Sequence, residues 1–216
     1  MGIFDRIILL LTGLVAIYMI SFFLKRQKNE KTAGRHNFHY IISFTVLLVS
    51  GLLLIIFGWG ILGLLGGGSG TSKFVAVVAT LIPFTLATGL VCEYHNDKAK
   101  GYAILMLIGL VLIALTRYVG SMEALAKIVY PIFHAIAGLT IFFLPIFLVK
   151  ADKVKSQFIW VTVGGTLIGL GGIALGFLTA GKQLLFFSPE FVLMILAPLL
   201  LVMALCYMYG FTKGDE

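Results

Sequence analysis

Charge is what this sequence has least of. Asp, Glu, Lys and Arg make up 12% of its 216 residues and hydrophobic types 60%, with a mean hydropathy of +1.09. A water-facing surface cannot be built from that composition, so a soluble domain is excluded and the bilayer becomes the solvent. Cysteine is nearly missing too. Cys92 and Cys206 both fall near helix ends assigned below to the cytoplasm, where thiols stay reduced, and no disulfide framework is expected. The nine acids (Asp5, Glu30, Glu93, Asp97, Glu123, Asp152, Glu190, Asp215 and Glu216) all sit at the ends of apolar runs or between them. Ion-coupled pumps keep a titratable or anionic group at membrane depth, so this absence argues against ion pumping. The last apolar run, Phe191 to Tyr209, has no Lys to form a retinal Schiff base.

What is present is a series of apolar runs, each near the ~20 residues that a spanning helix needs. Helices are expected at about 4–24, 38–65, 74–95, 101–118, 124–149, 157–180 and 189–210, with ends placed to ~2–4 residues. The fold class is therefore all-α: a polytopic bundle of about seven transmembrane helices forming one domain over residues 1–216. The first run, Ile7 to Leu24, exceeds the ~7–15 residues of a signal-peptide core and ends in Lys25-Arg26, so it reads as a retained helix.

The net charge of +7 resides in short loops, which makes it a topology signal and not a nucleic-acid footprint. Lys25, Arg26, Lys28, Lys31, Arg35, Lys98, Lys100, Lys150, Lys153, Lys155 and Lys213 fall on one side; Arg6, Lys73, Arg117, Lys127 and Lys182 fall on the other. The denser side is expected in the cytoplasm, with the amino terminus outside and the carboxyl terminus inside a bacterial or archaeal plasma membrane. Gly66 to Ser72 reads as an outer turn. No Lys-Ser/Thr pair follows it between a strand and a helix, so it is no phosphate loop.

Histidine offers the main chemistry. His134, in Tyr130-Pro131-Ile132-Phe133-His134, lies ~15 residues from the inner end of its helix, hence ~22 Å into the membrane. An imidazole at that depth is a functional candidate, or it bonds a carbonyl freed by Pro131. His36 and His39 open the second helix while Cys92, Glu93 and His95 close the third, so these groups share a depth. His36, His39, Cys92 and His95 could hold zinc, or two of the histidines could clamp a haem b; solvated headgroup contacts are the bland alternative.

Arg35-His36-Asn37-Phe38-His39, running into Ile41 through Gly51 with its Ser50-Gly51 pair, resembles the opening helix of membrane cytochrome b subunits that anchor hydrogenases and formate dehydrogenases. The resemblance covers about 20 residues and implies haem or quinone chemistry, with His39 and His95 as the one axial pair that the topology allows. His134 has no evident partner at its depth.

Glycine is the other resource. Gly165, Gly169, Gly172 and Gly176 fall on one stripe of the sixth helix, at a spacing that lets another backbone approach closely or leaves a groove for a flat pigment, quinone or lipid. Pro83, Pro131, Pro145 and Pro198 lie within or close to four helices and predict kinks. These features favour a membrane subunit of a redox or bioenergetic assembly, holding one haem b or a quinone and contacting lipid and other membrane subunits or its own copies. It would transfer electrons or support its complex without itself being an enzyme. A small-solute carrier or channel, and an enzyme with a boundary metal, are the alternatives.

Overall fold

The structure, a computed structural model, describes residues 1–62, 70–179 and 188–214. Seven α-helices fill them: α1 (Ile3–Lys28), α2 (Arg35–Phe57), α3 (Gly70–Tyr94), α4 (Asn96–Tyr118), α5 (Glu123–Lys150), α6 (Ile159–Thr179) and α7 (Pro189–Gly214). All seven are long and apolar enough to cross a membrane, and no strand occurs among the described residues. Their outward faces carry large apolar side chains, with Leu107, Ile128 and Phe147 each more than half exposed. So much exposed hydrocarbon fits lipid and not water. The chain is a multi-pass membrane protein.

Helix ends differ from the hydropathy reading for local reasons. α2 stops at Phe57 because Gly58 adopts φ +69° and turns the chain into a short 3-10 segment, Trp59–Leu62. α4 starts at Asn96, earlier than expected, since Asn96, Asp97 and Lys98 form a polar first turn that hydropathy cannot register. Asp97 there suits the positive end of the helix dipole. α1 and α7 gain a last turn in which Lys25, Arg26 and Lys28, and Lys213, meet the negative end. Of the run Gly66 to Ser72 read as an outer turn, residues 70–72 instead open α3, while 66–69 lie outside the described residues, as do Lys182, Asp215 and Glu216.

Successive helices pack as neighbours, and α7 closes the circuit onto α1. α3 also packs directly on α5, which leaves α4 bridging those two from outside. Six helices thus form a ring with α4 on its flank. Polar ties cross the ring where apolar packing alone would leave register loose. The Ser43 hydroxyl donates to the Ile82 carbonyl at 2.9 Å, joining α2 to α3, and the Thr162 hydroxyl donates to Phe142 at 2.8 Å, joining α6 to α5.

The two ends of the ring are built differently. Toward the basic loops, Phe23, Tyr40, Phe44, Phe158, Tyr207 and Phe211 are fully buried and pack ring on ring, with centroids 4.6 Å apart for Phe23–Tyr40 and 4.9 Å for Tyr40–Phe211. Such tilted and edge-on contacts fill the axis densely. Toward the other end, mainly aliphatic residues interspersed with glycines replace them and the axis opens.

Candidate functional site

The opening is a chamber of about 250 Å³. Its wall comes from residues 9 and 12 of α1, stretches within 47–54 of α2, 74–86 of α3, 130–141 of α5, 165–172 of α6 and 196–207 of α7. Every ring helix contributes and α4 does not. On α5, Tyr130 and His134 are four residues apart and so share a face. Their rings stack at 5.3 Å with an 18° tilt, and the Arg117 guanidinium lies 5.4 Å from the Tyr130 ring centroid. A cation, a phenol and an imidazole therefore contact one another in series, a column running from the end of α4 into the chamber wall. His134 is partly buried, and its Nδ1 has no hydrogen-bond partner among the described residues. Among the described residues neither a carbonyl freed by Pro131 nor a neighbouring Thr bonds this nitrogen.

α6 faces this column with glycine. An added Cβ at Gly169 would meet nothing within 4 Å, and one at Gly172 would stand 3.7 Å from His134 Nε2. Gly165 also lines the chamber, but there a Cβ would press on Ile141 at 2.7 Å. The stripe read as helix packing is hence mixed: Gly165 packs on α5, while Gly169 and Gly172 leave space. The side-chain surroundings of Gly176 lie outside the described residues. The glycines that bring α6 against α7 are Gly164, whose Cβ would meet Tyr207 at 2.9 Å, and Gly171, whose Cβ would meet Leu199 at 2.6 Å.

The histidine group at the basic end is organised around Glu93. Arg26 Nη2 donates to Glu93 Oε1 at 2.6 Å, and the Tyr40 hydroxyl donates to Oε2 at 2.6 Å. His36 Nε2 lies 3.8 Å from Oε1, with its ring 6.2 Å from that of Tyr40. Arg26 and Glu93 side chains are only 10% and 11% exposed, so a carboxylate does sit inside the bundle although it occupies a helix end. Neither Arg26 nor Tyr40 stood out in the sequence. Beside them Asn37, fully buried, donates to Gln27 and to the Thr32 carbonyl, holding the α1–α2 loop.

Of the set His36, His39, Cys92 and His95, His36 is the member placed against Glu93. Among the described residues no three His, Cys, Asp or Glu side chains gather in a way that could hold a metal ion. Helix geometry explains why. At about 100° per residue, a helix that turns Glu93 toward α1 and α2 carries Cys92 away from it, and His95 lies past the end of α3, in the link to α4. His95 accordingly lines a groove with α4 and α5, while His36 faces Glu93 and His39 is half-buried on α2.

Comparison with protein-family models, with curated proteins and with solved structures finds no match to this chain.

Proposed function

We propose that this protein is a membrane subunit of a redox assembly, and that its chamber holds the ring of a quinone-class lipid for a partner subunit that carries the electrons. The observation behind this reading is the chamber with His134 Nδ1 in its wall and no partner for that nitrogen among the described residues. A void of this size left unfilled would cost roughly 6 kcal/mol at ~24 cal/mol per Å³, on the scale of a whole protein's stability. An occupant recovers that energy.

Size and chemistry narrow the occupant. About 150 Å³ accommodates a benzene ring, and drug-sized ligands occupy roughly 300–1,000 Å³, so 250 Å³ suits one ring or a fused pair. The open wall at Gly169 and Gly172 admits a flat face. A neutral imidazole nitrogen donates to a quinone carbonyl in one tautomer and accepts from a quinol hydroxyl in the other, so His134 serves both oxidation states. A haem is less well served, since His134 is the one histidine of the chamber wall. The orientation belongs to the same proposal. With the basic loops in the cytoplasm, the chamber lies in the outer half and the Glu93 cluster at the inner edge.

The test is a titration of the purified protein with a short-chain quinone, read by quenching of Trp59 in a Trp160→Phe background. Trp59 is buried among Leu9, Leu54 and Leu196, which themselves line the chamber. Saturable quenching is expected. His134→Leu should weaken it about fivefold, the worth of one hydrogen bond of ~1 kcal/mol, and Gly169→Leu should abolish it by filling the space. If decanol competes as well as the quinone does, ring recognition is wrong. If quinone does not bind and a solute enters liposomes through the protein, the carrier alternative replaces this reading.

A further inference from the structure

We infer that a second site, independent of the chamber, lies on the membrane-facing flank where α3, α4 and α5 meet, and that it binds one anionic diacyl phospholipid. The site is a laterally open groove of about 370 Å³. His95 and Lys98 stand at its polar mouth, in the short link from α3 to α4 and the first turn of α4. Tyr102 and Thr140 form its floor, and Phe143 and Phe147 form its wall along α5.

Depth identifies the occupant as a lipid. Thr140 is ten residues before the end of α5 at Lys150, which at 1.5 Å per residue is about 15 Å. That is half the ~30 Å hydrocarbon thickness, the depth of one leaflet. The hydroxyls in the groove have no free donor for a solute: the Tyr102 hydroxyl donates to Thr140 Oγ1 at 2.8 Å, and Thr140 in turn donates to the Ile136 carbonyl at 2.8 Å. Phe143 and Phe147 are 44% and 59% exposed, with near-parallel rings 5.9 Å apart, and present a continuous apolar wall to an acyl chain.

Charge identifies the headgroup. Lys98 is exposed at the mouth, Lys100 follows it, and Lys150 and Lys153 close the same end of α5. Asp97 and Asp152 are the acids in these two segments, so basic groups outnumber them two to one. A phospholipid whose headgroup has a net negative charge matches both the basic mouth and the apolar body; a zwitterionic one matches only the body.

The experiment uses Phe143→Trp in a Trp160→Phe background, reconstituted in phosphatidylcholine with a small fraction of lipid carrying brominated acyl chains. Brominated phosphatidylglycerol should quench the introduced tryptophan about five times more effectively than brominated phosphatidylcholine at equal fraction, the size expected of one basic side chain beside an anionic headgroup. Lys98→Gln should remove most of that preference while leaving quenching by phosphatidylcholine unchanged. Equal quenching by the two lipids, or a preference that survives Lys98→Gln, overturns the inference. Thermal unfolding of the unsubstituted protein in detergent is the second readout: phosphatidylglycerol should raise the midpoint more than phosphatidylcholine. Equal stabilisation by inorganic phosphate at matched ionic strength would assign the mouth to a free anion and reject the lipid.

Discussion

Glu93 sits one residue from the end of α3 and accepts hydrogen bonds at both carboxylate oxygens, from Arg26 on α1 and Tyr40 on α2. Three helices are thereby joined through one side chain in a region where lipid tails provide no hydrophobic force between helices. Desolvating an ion pair is costly, and removing one member costs more, because the other charge is left buried. Glu93→Leu should therefore lower stability by about 3–5 kcal/mol, seen as a depressed midpoint of thermal unfolding in detergent. The double variant Arg26→Met/Glu93→Leu should recover most of the loss, since it removes both charges and keeps volume. A double variant no more stable than Glu93→Leu would mean that the Tyr40 bond carries the effect. The sequence made Glu93 visible beside Cys92 and His95 but hid its partner. Arg26 belongs to a dense basic loop where every cation reads as topology, and only the extra last turn of α1 brings it inward.

At the scale of elements, α6 has two working faces one residue out of step. On one, Gly164 lets Tyr207 and the Met203 carbonyl approach, and on α7 Gly210 reciprocates, since a Cβ there would meet the Val161 backbone nitrogen at 2.9 Å. On the other, Gly169 opens onto the chamber. Alanine separates them. Gly164→Ala and Gly210→Ala should cost about 1–3 kcal/mol through overpacking against backbone that cannot move aside. Gly169→Ala should be neutral or stabilising by up to ~1 kcal/mol from helix propensity, yet weaken quinone binding. Equal losses of stability at all three positions in thermal unfolding would mean that Gly169 also packs. The stripe 165, 169, 172 and 176 was legible in sequence, but its role was not. Glycines at 164, 165, 169, 171, 172 and 176 occupy several faces of α6, and only the placement of α5 and α7 decides which face closes and which stays open.

For the whole molecule, the seven spans were readable because length and hydropathy are local properties, whereas the chamber was not, because six helices each contribute a few unremarkable side chains to it. His134 was readable as a deep polar group and Tyr130 shares its helix face, but the approach of Arg117 to Tyr130 needed the α4–α5 packing. Orientation rests on the basic loops alone, and it decides which compartment the chamber adjoins. Gly120 and Lys153 mark the two ends of α5, both exposed, and a Cβ at Gly120 meets nothing within 4 Å. The 28 residues of α5 span about 42 Å, enough to cross the membrane with some tilt. In a Cys92→Ala/Cys206→Ala background, Gly120→Cys should react with an impermeant maleimide added to intact cells, and Lys153→Cys only after permeabilisation. Reaction of both from the same side would remove α5 as a crossing helix and break the ring. The reverse pattern would keep the ring but turn it over, placing the chamber next to the cytoplasm and the Glu93 cluster at the outer edge, so that the partner subunit proposed for the chamber would have to be sought on the opposite face.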